Sequence, residues 1–397
     1  MNDVVIGVDG GTTAVKAVAF DLNGQIKASH HESVPVRYGA NGESEQDMTL
    51  LWEAVASCLR SVAEQVRGSR IVGVGLTGQG DGTWLVDADG EPVRPAANWM
   101  DGRAAGRVDD WNFDGRGRAV LDVTGTTVFG GLFPVLYEEL AAAEPEAVAR
   151  ATSHLNCKDW IRFKLTGVRA TDFTEASRTF LDVATTSGYN EPLAEKLGLS
   201  EALKLLPEIR RPAGEASPVT EEAAEATGIP AGTPVGVGMI DVAVTGMGLG
   251  RIADGDSWLI LGTTGFVGTL LPSVAERRSE LSMVLATGEG TQVLEFMAPM
   301  TGTPNLDWIR STLGLESQSW SEIEKMAREA GPGSHGVVYL PYASPGGERA
   351  PFLDTNASAS WQGMSLTSTR ADILRAVYEG VVFSLAECLN ALRITGP

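Results

Sequence analysis

The N-terminal part of the chain alternates apolar runs, which predict strands, with one amphipathic segment, which predicts a helix. The strands are expected at Val4–Val8, Ala14–Asp21, Gln25–Val36 and Ile71–Leu76. Between the last two of these, apolar residues recur at helical spacing over Asp47–Val66. The resulting order of three strands, one helix and one strand departs from a simple alternation of strand and helix.

The middle of the chain has a mostly helical pattern, and its clearest helices are expected at Leu136–Ala149 and Asp159–Leu165. Residues 212–235 are rich in Pro, Gly, Ala and Glu, which predicts a surface connection. A strand is expected next, at Val235–Met239, and it leads directly to Asp241. Together these patterns are typical of an α/β protein.

A strand–turn–strand unit near the start of the chain recurs in its second half. Ile6–Val8, Gly11-Thr12-Thr13 and Val15–Ala19 correspond to Leu259–Leu261, Gly262-Thr263-Thr264 and Phe266–Leu270. Gly-Thr turns between strands are common, so an accidental match is the alternative. A true repeat predicts two related domains, residues 1–245 and residues 246–397, that face each other across a cleft.

The net charge of the chain indicates which classes of binding partner are unfavourable. Of the 397 residues, 31 are Lys or Arg and 51 are Asp or Glu, giving a net charge of −20. Such a chain repels phosphate backbones and anionic lipids, which argues against nucleic acid and membrane surfaces as partners. The three cysteines are far apart, which fits a reducing cytoplasm. Because the N-terminus leads directly into an apolar strand, we expect neither a signal peptide nor a run of transmembrane length.

Two glycine-threonine turns are candidate phosphate sites. In the first, Asp9–Lys16, glycines would let backbone N–H groups approach phosphate oxygens, threonines add donors, and the carboxylate of Asp9 could hold Mg²⁺. The alternative is a tight hairpin whose aspartate caps the turn. The second turn, Gly262–Gly265, carries the same chemistry, and the pair is a stronger signal than either turn alone.

Asp241 is the candidate general base. It follows an apolar strand and precedes a helix-like stretch, a position where α/β sheets commonly bind ligands. A carboxylate there could accept the proton of a substrate hydroxyl. The alternative is a helix N-cap, which an aspartate often forms at such a junction.

Polar and aromatic residues at Gln79–Trp84 and Trp99–Arg103 are candidates for sugar recognition. Amides, carboxylates and arginine can read hydroxyl groups, and indole rings can stack on C–H faces. Turn residues beside core tryptophans are the alternative for each segment. The GxGxxG match at Gly73–Gly78 lies within a strand pattern and is not a dinucleotide site. The sequence contains neither a Walker A motif nor histidines at metal-ligand spacing.

The chain resembles the FGGY carbohydrate kinases, members of the actin, Hsp70 and hexokinase superfamily. The resemblance runs from residue 4 to the end and rests on nine ordered segments: DGGTTAVK at Asp9–Lys16, TGQGDG at Thr77–Gly82, WMDGRA at Trp99–Ala104, CKDWIRFKLTG at Cys157–Gly167, TDFTEASRTFLD at Thr171–Asp182, GMID at Gly238–Asp241, LGTTG at Leu261–Gly265, PYASPGGERAPFLDTNA at Pro341–Ala357 and RAVYEGVVFSL at Arg375–Leu385.

The resemblance implies a duplicated two-domain α/β fold of the ribonuclease H-like type, with the sugar bound mainly by the first domain and ATP mainly by the second. Asp241 is then the catalytic base, and Asp9 is the carboxylate associated with Mg²⁺. The implied phosphate-side contacts are Gly11, Thr12, Thr13, Lys16, Gly262, Thr263, Thr264 and Gly302. The implied substrate-side residues are Gln79, Gly80, Asp81, Trp99, Asp101 and Arg103. Glu348 and Arg349 are expected to be structural, at the hinge or the inter-domain surface, and a homodimer is common in the family.

The sequence departs from the family pattern at its C-terminus. Family members continue past the RAVYEG helix into a GGGA-type element that cradles the adenosine, whereas this chain ends at Arg393–Pro397. We therefore expect a truncated chain with an incomplete nucleotide-side domain. TGQGDGTWL is closer to erythritol-type and other polyol kinases than to xylulokinases, which favours a short polyol or a pentulose. The rival functions are a non-catalytic sugar sensor and an ATPase switch.

Overall fold

The structure is a computed structural model, and it describes residues 2–212, 214–300, 302–344, 347–354 and 356–393. The chain divides into two compact units. The N-terminal unit comprises Met1–Gly250, Ser273–Ala275 and Val284–Val293, and the C-terminal unit comprises Arg251–Pro272, Glu276–Met283 and Leu294–Pro397. Residues Ile394–Pro397, where the sequence departs from the family pattern, lie outside the described residues.

The strands and helices are labelled in chain order. The strands are β1 Asp3–Gly10, β2 Ala14–Asp21, β3 Ile26–Ser33, β4 Val36–Tyr38, β5 Ser44–Gln46, β6 Arg70–Gly78, β7 Leu85–Val86, β8 Ala96–Ala97, β9 Ser153–His154, β10 Ala170–Asp172, β11 Glu208–Arg210, β12 Ser217–Pro218, β13 Pro234–Val235, β14 Met239–Ile240, β15 Ser257–Leu261, β16 Gly265–Leu271, β17 Met283–Ala286, β18 Val293–Met297, β19 Val338–Leu340 and β20 Ser360–Gln362. The helices are α1 Met48–Gln65, α2 Ala105–Asp114, α3 Arg116–Thr124, α4 Phe133–Ala143, α5 Pro145–Arg150, α6 Cys157–Thr166, α7 Phe173–Ala176, α8 Glu191–Leu197, α9 Ser200–Leu203, α10 Glu221–Thr227, α11 Asp241–Gly248, α12 Pro304–Thr312, α13 Trp320–Glu329 and α14 Arg370–Ala391.

The N-terminal unit is built on a sheet whose order is β12-β13-β6-β1-β2-β3, with β14 also paired to β6. β1 runs antiparallel to β2 and parallel to β6. The alternating residues Val4, Ile6 and Val8 of β1 are buried, as the apolar alternation predicts. Helix α1 covers this buried face together with α6 and α10, and the three helices and the sheet share one hydrophobic core.

Helix α1 confirms the amphipathic pattern predicted for Asp47–Val66. Asp47 is its N-cap, and the side chain accepts hydrogen bonds from the backbone N–H groups of Thr49 and Leu50. Its apolar face is buried against β2 and β3. The helix therefore begins where an aspartate can satisfy its free N–H groups and buries the stripe that the sequence marks as apolar.

Prolines and glycines interrupt several of the predicted elements. The helix expected over Leu136–Ala149 is two helices, α4 and α5, because Glu144 before Pro145 leaves the helical conformation, with φ −131°. The strand expected over Gln25–Val36 divides into β3 and β4, which are separated by Val34-Pro35. The connection expected over residues 212–235 contains β12, α10 and β13, so that prediction missed local structure.

The strand expected over Val235–Met239 is two short strands, β13 and β14, each parallel to β6. Between them Gly238 has φ +76°, and a Cβ at this position would lie 2.0 Å from the backbone oxygen of Leu76. Only glycine fits this combination of conformation and close approach. Gly238 thus lets the chain turn back onto β6 immediately before Asp241.

The C-terminal unit begins with the antiparallel hairpin β15–β16, part of a sheet whose order is β15-β16-β18-β17. Helices α12, α13 and α14 share a second core with β19. The two Gly-Thr-Thr turns each connect an antiparallel pair of strands, as the repeated unit predicts. In the part of the chain that the structure describes, every helix is too short or too polar to cross a membrane.

Candidate active site

Three neighbouring strands of the N-terminal sheet end at the same edge. Strands β1 and β14 lie on opposite sides of β6 and both run parallel to it, so Thr77 pairs with Asp9 on one side and with Met239 on the other. Gln79 directly follows β6, and Asp241 directly follows β14. Ligands of α/β sheets commonly bind at the carboxyl ends of such strands. The topology therefore brings Asp9, Gln79 and Asp241 to one edge.

Asp241 is the first residue of α11, and the N-cap position belongs to Ile240. The Oδ1 atom of Asp241 accepts a hydrogen bond from the backbone N–H of Val242 at 2.7 Å. The preceding strand is held by a bond from the Ile240 N–H to Thr174 Oγ1 at 3.0 Å. Burial raises the pKa of Asp241 to about 7, and the negative charges of Asp9 and Asp81 add to the shift. A carboxylate with such a pKa is matched to proton transfer near neutral pH.

Asp9 and the first glycine-threonine turn lie beside this base. Strands β1 and β2 are closed by a hydrogen bond from the Gly11 N–H to the Ala14 carbonyl at 3.1 Å, and Asp9 pairs in register with Lys16. Burial raises the pKa of Asp9, while the charge of Lys16 opposes the shift. The buried Asp9 Oδ1 accepts no hydrogen bond from any described residue. That oxygen is available to a cation or to an ordered water.

The first turn and the substrate-side residues form one hydrogen-bond network. The Trp99 indole donates to Thr12 Oγ1 at 3.0 Å, and the Thr12 hydroxyl donates to Gln79 Oε1 at 3.1 Å. The Gln79 amide donates to Gln46 Oε1 at 2.7 Å, and the Gln46 amide donates to the Thr12 carbonyl at 3.0 Å. Gln46 was not predicted, because nothing in the local sequence distinguishes it. The network fixes the side chains of Thr12, Gln79 and Trp99 relative to each other.

Gly80 and Asp81 follow Gln79 in a tightly packed turn. A Cβ at Gly80 would lie 1.9 Å from Ile240 Cδ1 and 3.3 Å from Glu175 Oε2, so this position has no room for a side chain. Asp81 has φ +62°, and its carbonyl accepts a hydrogen bond from the Trp84 indole at 3.2 Å. Its carboxylate accepts two bonds from Arg178, at 2.7 and 3.2 Å.

Arg178 and Glu175 are two charged residues near the site whose roles the sequence patterns do not predict. Both lie in the segment TDFTEASRTFLD, and both side chains are buried. Neither carboxyl oxygen of Glu175 has a hydrogen-bond partner among the described residues. Burial raises the pKa of Glu175 well above its ordinary value, an effect that the positive charge of Lys158 opposes. Their position as charged residues inside a family motif was the signal from which Glu175 and Arg178 could have been predicted as site residues.

Asp101 and Arg103 take part in a largely buried network of ion pairs. Arg103 contacts Asp101 at 2.8 Å and Glu45 at 2.6 Å, and Glu45 also contacts Arg94 at 2.6 Å. The Asp101 carboxylate additionally accepts a bond from the Ser44 N–H at 2.9 Å. These contacts anchor the segment that carries Trp99. Direct contact of Asp101 and Arg103 with substrate stays a prediction.

The second glycine-threonine turn lies in the C-terminal unit, between β15 and β16. The Gly262 N–H donates to the Thr264 carbonyl at 3.1 Å. The Gly302 N–H donates to the Thr263 carbonyl at 2.9 Å, and Thr303 donates to the Gly262 carbonyl through its N–H at 2.8 Å. The structure thus places Gly302 against this turn, next to the start of α12.

Glu348 and Arg349 stabilise a loop of the same unit. Glu348 is buried, and its Oε1 accepts bonds from the N–H groups of Met300, Arg349 and Ala350. Arg349 Nε donates to the Ala298 carbonyl at 2.8 Å. Both residues therefore hold backbone in place, consistent with the structural role expected for them.

Two protein-family models match the chain. One describes the N-terminal domain of the FGGY family of carbohydrate kinases and matches residues 4–248, and the other describes the C-terminal domain of that family and matches residues 258–396. The chain belongs to the FGGY family of carbohydrate kinases. The family resemblance and the enzyme class predicted from the sequence are therefore confirmed.

Curated relatives of this FGGY kinase act on small sugars and polyols. The chain is 34% identical to an erythritol kinase from Brucella abortus (strain 2308), over 99% of the chain and 80% of that protein. It is 30% identical to a probable L-xylulose kinase from Pasteurella multocida (strain Pm70), over 98% of the chain and 82% of that protein. Phosphorylation of a sugar or polyol is thus supported at the level of the substrate class.

Solved structures of sugar kinases share the fold of this FGGY kinase. A gluconate kinase from Lactobacillus acidophilus superposes with a TM-score of 0.89 at 26% identity, over 99% of this chain and 78% of that chain. A ligand-bound xylulose kinase from the same bacterium superposes with a TM-score of 0.89 at 26% identity, over 98% and 78% of the two chains. The predicted two-domain α/β fold is confirmed.

Proposed function

We propose that this FGGY kinase transfers the γ-phosphoryl group of ATP to a terminal hydroxyl of a short polyol such as erythritol or of a pentulose such as xylulose. The observation that carries the proposal is the position of Asp241, which follows β14 at the sheet edge where Asp9 and Gln79 also lie. Burial raises the pKa of this carboxyl to about 7, and the charges of Asp9 and Asp81 add to the shift. The relationship to the erythritol kinase and to the probable L-xylulose kinase supports the substrate range.

Asp241 acts as the general base in the proposed reaction. Its carboxylate accepts the proton of the substrate hydroxyl, and the hydroxyl oxygen forms a bond to the γ-phosphorus while the bond to the ADP oxygen breaks. The turn at Gly11–Thr13 contacts phosphate oxygens through the N–H groups of Thr12 and Thr13 and the Thr13 hydroxyl, because the Gly11 N–H and the Thr12 hydroxyl already donate to Ala14 and Gln79. Lys16 adds a positive charge beside them. In the C-terminal unit, the turn Gly262–Thr264 contacts phosphate through the N–H groups and hydroxyls of Thr263 and Thr264, and Gly302 supports this turn through the bond from its N–H to the Thr263 carbonyl.

The residues near Asp9 fit a magnesium ion. The buried Asp9 Oδ1 has no hydrogen-bond partner among the described residues, and carboxylate oxygens are ligands that Mg²⁺ prefers. No cluster of three or more metal-ligating side chains occurs in the described ranges, so phosphate and water oxygens would supply the other ligands. When bound, Mg²⁺ offsets the negative charge of the phosphates.

On the substrate side, Gln79, Gly80, Asp81, Trp99, Asp101 and Arg103 form or support the polyol site. The Gln79 and Trp99 side chains are held by the network through Thr12, and a preorganised polar site discriminates strongly among hydroxyl patterns. We assign the substrate-binding role to residues 1–245 and the nucleotide role to residues 246–397. Three buried free cysteines fit a reducing compartment, so we place the reaction in the cytoplasm.

The test is a coupled ADP-release screen over tetritols, pentitols, pentuloses and glycerol, combined with calorimetric titration of each compound. We expect sustained ADP release with a tetritol or a pentulose. Asp241→Asn should lower kcat by about 10²–10⁴-fold, because the proton acceptor is lost, and should leave polyol binding measurable. Near-normal turnover of Asp241→Asn would refute its role as the base, and absence of both binding and turnover for every compound of the screen would refute the substrate class.

A further inference from the structure

Asp81 occupies a backbone conformation that glycine adopts at lower cost. Its φ of +62° lies in the left-handed region, and Gly82 follows it with φ +84°. An L-residue in this region meets a steric penalty that glycine avoids, although aspartate tolerates it better than most. Strained residues of this kind persist where their side chain is used and where the surroundings hold them. The strained backbone at Asp81 therefore points to a role of its carboxylate beyond the turn.

A buried guanidinium fixes that carboxylate from one side. Arg178 Nε lies 2.7 Å from Asp81 Oδ1, and Arg178 Nη2 lies 3.2 Å from Asp81 Oδ2. The Arg178 side chain is only 1% exposed, whereas that of Asp81 is 15% exposed. A two-point contact of planar groups sets the orientation of the carboxylate as well as its position. Asp81 thus keeps an oriented and partly exposed side chain at the edge of the sheet.

Further contacts immobilise Arg178. Its Nη1 donates to Thr126 Oγ1 at 3.0 Å, and its guanidinium lies 5.6 Å from the centre of the Phe129 ring. Its backbone N–H donates to the Glu175 carbonyl at 2.9 Å. The guanidinium is therefore fixed by groups that do not belong to the segment carrying Asp81, so it can act as a rigid support for that carboxylate.

An ionised carboxylate offers about four acceptor sites, and the two contacts with Arg178 use about half of them. Vicinal hydroxyls of a polyol are pairs of donors with a spacing that suits the two oxygens of one carboxylate. We propose that Arg178 is a positioning residue that orients Asp81 to accept hydrogen bonds from two adjacent substrate hydroxyls and thereby determines which hydroxyl configuration is accepted. This inference rests on the proposed polyol kinase function and deepens it by naming the pair that reads the substrate.

The distribution of charge supports the pairing. Asp81 raises the pKa of both Asp241 and Glu175 through its negative charge, so the Asp81 carboxylate lies close to two other acidic groups. The positive charge of Arg178 offsets this repulsion. Loss of Arg178 would leave the Asp81 carboxylate near other acidic groups without its cation, and the side chain would reorient. A site with a misoriented acceptor binds all hydroxyl configurations weakly and distinguishes them poorly.

The test is calorimetric binding of erythritol, D-threitol and L-threitol in the absence of ATP, with thermal unfolding of each variant as a check on folding. Erythritol and the threitols differ in configuration at one hydroxyl. Arg178→Met should weaken binding of the isomer that the unaltered chain prefers by about ten- to a hundredfold. The ratio of Kd values between the isomers should fall towards one. The double variant Asp81→Asn/Arg178→Met should bind the tetritols no more weakly than Asp81→Asn alone, because both substitutions remove the same oriented hydrogen-bond acceptor.

Milder variants keep the inference testable if Arg178→Met does not fold. Arg178→Lys keeps the charge and loses the two-point contact, and Thr126→Ala removes one anchor of the guanidinium. Both should reduce the isomer ratio while they leave the KM for ATP unchanged. Arg169→Met is the matched control, because Arg169 also lies over an aromatic ring, at 5.4 Å from Phe163, but contacts Asp87 and Ala88 instead of Asp81.

Two results would overturn the inference. In one, the Arg178 variants lower the unfolding temperature but keep the isomer ratio of the unaltered chain. In the other, the effects of the Asp81 and Arg178 changes on binding add fully. Failure of the unaltered chain to bind any of the tetritols, pentitols, pentuloses or glycerol would instead refute the proposed function, and with it the substrate that this pair is inferred to read.

Discussion

The Trp99 indole donates a hydrogen bond to the Thr12 hydroxyl at 3.0 Å, although the two residues lie 87 positions apart in the chain. This bond joins the substrate-side segment to the first glycine-threonine turn. The Thr12 hydroxyl in turn donates a hydrogen bond to Gln79 Oε1 at 3.1 Å. A substitution in the substrate-side segment or in the turn should therefore change the binding of both the polyol and ATP.

Trp99→Phe removes the indole donor and keeps an aromatic ring. Because a hydrogen bond of this kind contributes about 0.5–1.5 kcal/mol, we expect kcat/KM to fall by about two- to tenfold for both the polyol and ATP. Steady-state kinetics with each substrate varied in turn would measure this effect. Trp111→Phe is the control, since Trp111 donates to Glu138 in the helical region. A loss for one substrate alone would show that the network does not couple the two.

The pH dependence of kcat/KM should report the titration of Asp241. The base must be unprotonated to accept a proton, and burial raises its pKa to about 7. Activity should therefore decrease as the pH falls through this value, with a limiting slope of one proton. Asp81→Asn removes one of the negative charges that raise the pKa, so the midpoint should move to lower pH. A profile that stays flat down to pH values near the ordinary pKa of a carboxylic acid, about 4, would contradict this assignment.

The sequence predicts the N-terminal fold closely where its signals are local. Helix α1 begins one residue after Asp47, because both the capping aspartate and the apolar stripe are visible in the sequence. The Asp9 turn and the position of Asp241 after a strand follow from the same kind of local pattern. Ladder partners are not local, so the pairing of Thr77 with both Asp9 and Met239 could not be read from the sequence.

The contacts between charged residues of the site also could not be predicted from the sequence. Arg178 lies 97 residues from Asp81, and nothing in either segment identifies the other as its partner. Gln46 could not be found for the same reason, since its contact with Gln79 depends on how β5 packs. Motif matches identify which segments matter, whereas the geometry decides which side chains meet.

Glu175→Gln should change how stability depends on pH. Burial raises the pKa of Glu175 above its value in the unfolded chain, so the folded state holds this proton more tightly. The stability that this proton contributes is present below the ordinary pKa and is lost as the pH rises through the raised one. Unfolding temperatures of the unaltered chain should therefore fall relative to Glu175→Gln as the pH increases.

Glu64→Gln is the control for this measurement, because Glu64 is exposed on α1. Its unfolding temperature should follow that of the unaltered chain across the same pH range. A constant difference between Glu175→Gln and the unaltered chain at every pH would show that Glu175 does not hold its proton preferentially in the folded state.

Gly238→Ala should destabilise the N-terminal unit and disturb Asp241. The left-handed conformation of Gly238, φ +76°, costs an L-residue about 1–2 kcal/mol, and the added Cβ would lie 2.0 Å from the Leu76 oxygen. Gly232→Ala is a matched control, because Gly232 has φ +83° but a Cβ there would meet no described heavy atom within 4 Å. Chemical denaturation should show the conformational cost in both variants and a further loss in Gly238→Ala alone. Since the clash pushes β14 away from β6, kcat should fall only in Gly238→Ala; equal losses in the two variants would show that close approach at Gly238 does not position the base.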